Sequence, residues 1–410
     1  MARRLAAAIL ALLGPAGPAA IAQTAAPVAQ GAPNADFTPA FPEQTRAPAL
    51  DSEATFAVEA IAEGLDRPWG IAVLPDGAIL VTERPGRLRA VVDGALRATP
   101  VAGLPEVLAE RQGGLLDVAA GPDFAEDRLV YWTYAKPTGG GTSATAAARG
   151  RLAEDFSEVT EVEEIFVQQP PSASAMHFGS RLAFDGAGHV FITTGERSAA
   201  ADRWRAQDLD ATWGKVIRLG LDGALPADNP FAGEGAAAAS VWSYGHRNIQ
   251  SAAVEPGTGA LWIGEHGPRG GDELNRIEAG ANYGWPLVSY GVNYDGSPVG
   301  DGASGADGVV EPRYYWDPVI APGGMTFYDG AAFPEWRGDL LIAGLVAGAI
   351  VRLAIEGETV VGEERLLTGQ GRIRDLAVDA EGAVLAVTDD RNGALLRLTP
   401  TADEEADVSN

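Results

Sequence analysis

The chain of 410 residues contains no cysteine and only four histidines. Without cysteine there is no disulfide, no thiol nucleophile and no thiolate metal ligand, and four scattered histidines offer no zinc-like spacing. No Gly-x-Gly-x-x-Gly opens a βαβ unit and no P-loop is present, which argues against nicotinamide and nucleotide chemistry. Helical periodicity is scarce, and beyond the first residues no apolar run is long enough to span a bilayer. Basic residues are few relative to acidic ones: 30 Lys and Arg against 56 Asp and Glu give a formal net charge of −26. Such a surface repels nucleic acid and anionic membranes and favours cations or cationic partners, but it equally suits a protein that only needs solubility in salt.

The first residues read as an export signal. Arg3-Arg4 forms a basic start, Leu5–Leu13 a short apolar stretch, and Ala20-Ile21-Ala22 a small-x-small cleavage site before Gln23. The expectation is a cleaved signal over 1–22, by the general or the twin-arginine route, and a periplasmic or secreted protein without membrane insertion. Residues 23–50, rich in Ala, Pro, Thr and Gln, read as a flexible linker; 51–400 as one folded domain; 401–410 as an acidic tail.

Within the domain one unit recurs: apolar strand, Asp-Gly or related turn, apolar strand. It occurs at 70–83, 115–135, 180–196, 251–265, 324–344 and 374–389, at irregular spacings of roughly 45–75 residues. The pattern predicts an all-β fold, a six-bladed β-propeller of four-stranded antiparallel blades, rather than a β-sandwich with many hairpins. A further degenerate blade has room in 140–170 or 287–320. A propeller gathers loops from several blades at the mouth of its channel, so chemistry is expected there.

The densest polar stretch is WSYGHRNIQSAAVEPGTGALWIGEHGPRGGDELNRIEAGANYGWP (242–286). Its charged and ring side chains fall at strand ends, where binding groups usually lie. His246 and His266 each serve equally well as turn hydrogen-bonders, and Glu265 and Asp272 as solvated loop charges. Arg247-Asn248 pairs a fixed cation with an amide, suited to negative charge growing on oxygen. His177, in AMHFGSRLAF, precedes a blade strand and fits a general base near neutral pH, or a structural role. In GRIRDLAV, Arg372 and Arg374 share a face by strand alternation. Either Asp375 neutralises one of them, or a ligand bearing carboxylates is gripped there. Gln112, in RQGGLLD, is a candidate ligand contact beside Gly113-Gly114, which admit close backbone approach. Oxygen donors for Ca²⁺ are plentiful around Glu265–Tyr294, with Glu273, the carbonyls near Gly267-Pro268 and that of Tyr283 as candidates.

Taken in order, RQGGLLD, HFGSRL, TWGKVIRLGLDG, WSYGHRN, EHGPRGGDELN, NYGWP, IAPGGM and RIRD make the chain resemble the soluble quinoprotein sugar dehydrogenases, the glucose/sorbosone dehydrogenase family, and within it the periplasmic aldose sugar dehydrogenase branch. The resemblance covers nearly all of the domain and implies a six-bladed propeller holding pyrroloquinoline quinone (PQQ) with Ca²⁺ at the channel mouth. It puts the proton acceptor on His177, cofactor contacts on Gln112, Arg247, Asn248, Tyr294, Tyr314, Arg372 and Arg374, and the cofactor's Ca²⁺ on the carbonyls of Gly267 and Pro268. A second, structural Ca²⁺ falls on Glu273 and the Tyr283 carbonyl. The implied reaction takes the proton of an aldose anomeric hydroxyl onto His177 and passes hydride to the quinone, giving a lactone, with Arg247 stabilising the oxyanion and Ca²⁺ polarising the quinone. An external electron acceptor is then required, a c-type cytochrome or a quinone, and the protein is expected as monomer or homodimer.

Two positions depart from the family pattern. Val346 stands where the family usually has a cofactor-holding Lys, and Met176 where the glucose-oxidising relatives have Asp. Two other readings fit the same features: a Ca²⁺-dependent propeller lactonase, which has no use for a carboxylate clamp at Arg372 and Arg374, and a non-catalytic binding propeller.

Overall fold

In the computed structural model, which describes residues 25–52 and 54–401, each of the six recurring units becomes the inner hairpin of one four-stranded sheet. The expected signal lies outside the described residues, as does the acidic tail apart from Thr401. The turn chemistry explains the hairpins. In the first, the Asp76 side chain accepts from Ala78 N–H at 3.1 Å and Gly77 adopts φ +84°, a left-handed value that glycine enters without steric cost.

Blade 1 comprises Pro68–Val73, Ile79–Glu83, Arg87–Val92 and Ala95–Leu96, and blade 2 Leu115–Ala120, Leu129–Gly139, Thr142–Leu152 and Val159–Val167. Blade 3 comprises Gly179–Phe184, His189–Thr194, Lys215–Gly220 and Val241–Tyr244, and blade 4 Ile249–Val254, Leu261–Glu265, Asp272–Arg276 and Tyr314–Trp316. Blade 5 comprises Pro322–Phe327, Leu340–Gly344, Ala349–Glu356 and Thr359–Leu366. Blade 6 takes Ile373–Val378, Val384–Thr388 and Gly393–Pro400, then borrows its outermost strand, Phe56–Leu65, from the other end of the domain, which closes the ring. No extra blade is present among the described residues. Residues 140–167 are the outer strands of blade 2, and 277–313 form an irregular excursion inside blade 4.

Period-two alternation decides the packing. Leu80 points into a cluster shared with Val130 and Trp132 of blade 2, while its neighbours Ile79 and Val81 point the other way, toward Leu385 and Val387 of blade 6. Six such clusters fill the six gaps between neighbouring blades. The innermost strands also touch in ring order. Between blades 1 and 4 a hydroxyl rivets each inner strand to the next. Thr133 Oγ1 accepts from Asp117 N–H and donates to Ser180 O, both at 3.0 Å, and Thr82 and Thr193 do the same one blade earlier and later.

The expected linker behaves differently. From residue 25 onward the segment packs against blades 4 and 5: Ala47 is buried in their shared cluster, the Gln44 side chain donates to Pro312 O at 3.0 Å, and Leu50 N–H donates to Glu363 O at 2.8 Å. Its few apolar residues and its backbone donors find partners one at a time, an arrangement without the periodicity that marks a strand or helix.

Candidate active site at the channel mouth

All six inner strands begin at the same end of the channel, and each has a register irregularity in its first residues. Bulges of this kind re-aim side chains, here those carried just ahead of and within the strand starts. His177 precedes the inner strand of blade 3, Arg247-Asn248 that of blade 4, and Arg372–Arg374 opens that of blade 6.

His177 is buried, with a left-handed φ of +46°. Its N–H donates to Gln112 Oε1 at 2.7 Å, and its Nδ1 lies 2.8 Å from Glu196 Oε1. Facing a carboxylate, Nδ1 carries the proton and Nε2 keeps the lone pair. Burial, then the Arg247 charge, hold the imidazole below its ordinary pKa against the opposing pull of Glu196, so it is neutral at pH 7. The turn tolerates no side chain at Gly195, where a Cβ would stand 2.2 Å from His177 O.

Arg247 is tied to the same assembly. Its carbonyl accepts from Glu196 N–H at 2.9 Å, and its guanidinium donates to His266 O at 2.8 Å and Gly267 O at 2.6 Å. The guanidinium also lies 5.1 Å from the Trp285 ring, and its Nε is buried without a partner. Asn248 Oδ1 accepts from Gly179 N–H at 3.1 Å, which fixes the His177 turn from below. His246 and His266 are turn-holders. His246 spans Ser243 Oγ and Glu265 Oε1, each at 2.9 Å, while His266 Nε2 donates to Pro322 O at 2.8 Å, with burial pushing its pKa down to about 3.

Arg372 and Arg374 do share a face, but their counter-ion is Asp389, at 3.3 and 2.9 Å. Asp375 points elsewhere, toward Arg181 at 3.1 Å, so of the two alternatives the neutralisation of Arg372 or Arg374 by Asp375 does not occur. The bulge between Ile373 and Asp375 accounts for the difference by turning the carboxylate into the channel. There Arg181, held between Asp117 and Asp375 and stacked 4.1 Å over Trp69, floors the mouth above a cavity of about 280 Å³. Arg374 donates to Gln250 Oε1 at 2.8 Å, and its Nε has no partner. Arg84 stands nearby, donating to Gly113 O at 3.2 Å and so bracing the turn that carries Gln112.

The two tyrosines separate. Tyr294 is 73% exposed, beside Asn293, whose Oδ1 accepts from Arg203 at 3.0 Å, and Arg203 lies 5.6 Å from the Trp285 ring on which Arg247 also rests. Tyr314 does not join the mouth. It is fully buried in the outermost strand of blade 4, where its hydroxyl donates to Glu363 at 2.8 Å. Pro268 follows Gly267 in the loop. Glu273, Glu265 and Tyr283, together with Arg247 and Gly267, line a small cavity of about 10 Å³, room for a single water-sized particle. The Tyr283 hydroxyl donates to Arg276 O at 2.8 Å, away from the cavity. Burial, then the neighbouring Glu265, push the Glu273 carboxyl well above the usual range. No cluster of three or more His, Cys, Asp or Glu in metal-holding geometry occurs among the described residues.

Sequence reasoning missed Glu196, Arg181, Asp117 and Asp389. Glu196 had a usable signal, a carboxylate closing a repeat unit at a strand end. The others act across blades, and only the ring brings them together.

Fold and site define a six-bladed propeller with an oriented histidine and unpaired guanidinium groups at one channel mouth. The comparisons place it further: the glucose/sorbosone dehydrogenase family matches residues 65–397, and the chain belongs to that family of oxidoreductases. It is 42% identical over 351 residues to aldose sugar dehydrogenase YliI of Escherichia coli K12, covering 85% of this chain and 94% of that one. The apo-form structure of the soluble aldose sugar dehydrogenase from Escherichia coli superposes with TM-score 0.81 at 41% identity, over 85% of this chain and 100% of that chain. The PQQ-bound aldose sugar dehydrogenase of Streptomyces coelicolor superposes with TM-score 0.69 at 28% identity, over 84% and 99%.

Proposed function

We propose that this protein is a PQQ-dependent aldose dehydrogenase that oxidises the anomeric carbon of a sugar to a lactone. The observation that carries the reading is the Glu196-oriented His177, neutral and with Nε2 free, beside an arginine-rich mouth. The residues suit the cofactor. A quinone bearing several carboxylates needs cations, and Arg84 and Arg247 form no ion pair among the described residues, while Arg372 and Arg374 share one carboxylate. Arg247 Nε and Arg374 Nε are buried donors in want of an acceptor. Gln112, Asn248 and Tyr294 complete the contacts; Tyr314, behind its blade, has no part in them.

When bound, PQQ supplies an acceptor for the hydride from the sugar's C1, and Ca²⁺ sharpens that acceptor as a Lewis acid. The protein's share is proton handling and charge. His177 Nε2 takes the proton of the anomeric hydroxyl, Glu196 steadies the resulting imidazolium through Nδ1, and Arg247 offsets negative charge on the sugar oxygen. The Gly267 and Pro268 carbonyls would hold the cofactor's Ca²⁺. Gly267 O already accepts from Arg247, and a carbonyl's second lone pair leaves room for the ion. The cavity at Glu273 is the place for a second, structural Ca²⁺ that also meets the Tyr283 carbonyl, since the Glu265 and Glu273 carboxylates share its lining and burial with repulsion raises Glu273. Export to the periplasm fits both ions, since Ca²⁺ outside the cell fills weak oxygen sites. Reoxidation then needs an external acceptor, a c-type cytochrome or a quinone.

The test is to add PQQ and Ca²⁺ to the purified protein and follow dye reduction with a panel of aldoses. Sugar-dependent reduction is expected. Lactone hydrolysis without quinone, or neither activity, would replace this reading with a lactonase or a binding propeller.

A further inference from the structure

Arg197 directly follows the carboxylate that orients His177, yet no part of the chemistry above uses it. It is fully buried, in left-handed backbone at φ +69°, and forms no ion pair among the described residues. Its guanidinium carbon lies 3.6 Å from the centroid of the Phe178 ring, the residue after His177. One terminal nitrogen donates to Ser143 Oγ at 2.9 Å and to Ser174 O, three residues before His177. Its Nε and other terminal nitrogen have no partner.

Burying a charge without an ion pair is unfavourable, and an apolar side chain would pack on Phe178 without that cost. The position of the charge is informative: it grips the His177 turn on both sides, at Ser174 O and the Phe178 ring. Three charged groups act on the His177 ring. Glu196 favours the imidazolium, whereas Arg247 and, less strongly, Arg197 oppose it; His266, with its pKa pushed down to about 3, is neutral there. Burial pushes Arg197 itself down to about 9, which still leaves it charged at pH 7.

We propose that Arg197 is a positioning residue for His177, clamping the 174–178 turn and holding beside it a positive charge without an ion pair among the described residues. The role rests on the reading of His177 as the base. The charge adds to that of Arg247 against the pull of Glu196, so the base is free to accept a proton, while the clamp holds Nε2 toward the mouth.

The test uses histidine-labelled protein without cofactor, whose four histidines give four ring resonances, with His177 assigned through His177→Gln. In the unaltered protein His177 titrates below the ordinary value of about 6.5. In Arg197→Gln the midpoint is expected to rise by at least about half a pH unit, the effect of removing one nearby charge. The acid limb of kcat/KM for the PQQ-loaded enzyme should move with it. Arg197→Lys keeps the charge but loses the planar stack. It should leave the midpoint in place and lower kcat by about fivefold or more with KM little changed. An unmoved midpoint in Arg197→Gln, or an unaltered kcat in Arg197→Lys, overturns the proposal. If Arg197→Gln does not fold, judged by circular dichroism, Arg197→Lys decides alone. Because the titration needs no quinone, a protein that shows the shift but no sugar oxidation contradicts the dehydrogenase reading and leaves the electrostatic inference standing.

Discussion

Two sides of the channel mouth carry opposite charge problems. At the corner of blades 6 and 1, Arg372, Arg374 and Arg84 gather around Asp389, and desolvation and mutual repulsion hold the Arg84 and Arg374 guanidiniums below their usual range. Beside blade 4, Glu273 and Glu265 face one small void, and burial, then repulsion from Glu265, raise Glu273. One side holds three guanidiniums around a single carboxylate, and the other holds two carboxylates with Arg247. A protein with a net charge of −26 gains no solubility from an arginine cluster, and the proposed function reads the separation as two ligand sites. His177 lies between the two, buried and neutral.

The largest effect is expected at that middle point. His177→Ala should lower kcat by about a thousandfold, within the range of general-base catalysis, while PQQ absorbance and affinity persist. Retained turnover would remove His177 from its role. The sign of the pH dependence follows from the depressed imidazole: activity should hold across pH 7 and fall only as pH drops below 6.5 toward the folded value. On the basic side, Arg372→Ala should weaken PQQ binding by about tenfold, since a hydrogen bond to a charged group contributes roughly 1.5–3 kcal/mol. An unchanged titration would break the clamp. Val346, 57% exposed at the rim, adds no charge there, and Val346→Lys should tighten PQQ by about threefold as one exposed cation more.

The acidic side yields the smallest change. A carboxyl raised by folding, such as Glu273, contributes stability that is complete below the unfolded pKa of about 4.3 and is lost as pH climbs through the folded value. Chelated protein should therefore melt a few degrees lower at pH 8 than at pH 5. Added Ca²⁺ should reduce that difference, and Glu273→Gln should reduce it without metal, the remainder belonging to Asp272 and Asp117, raised to about 7 and about 6. Equal melting of chelated protein at both pH values would dissolve the contrast between the two sides.

The fold was legible because each inner hairpin announces itself locally: an apolar alternation, an Asp-Gly-type turn, a second alternation. The outer strands carry no such mark, and the closing strand Phe56–Leu65 pairs with Gly393–Pro400 across the whole domain. His177, Arg247 and Asn248 were legible because motif and strand end coincide. Tyr314 was misplaced because its strand is the outermost of blade 4, away from the mouth; its neighbour Tyr315 faces the other way and stacks on Tyr290 at 4.1 Å. Of the two readings of Arg372 and Arg374, the one that paired Asp375 with either of them fails because a bulge cannot be seen in an alternating pattern. Residues 25–50 read as linker because their anchors, Gln44 and Ala47, are single contacts rather than a face.

The most direct measurement is a single-turnover titration: load the protein with one equivalent of PQQ in millimolar Ca²⁺, remove free cofactor, and add an aldose without any external acceptor. The account predicts that one quinone stays bound per chain, that its oxidised absorbance bleaches on adding sugar, and that His177→Ala binds the quinone but does not bleach. A protein that retains no PQQ, or bleaching that survives loss of the imidazole, would contradict it.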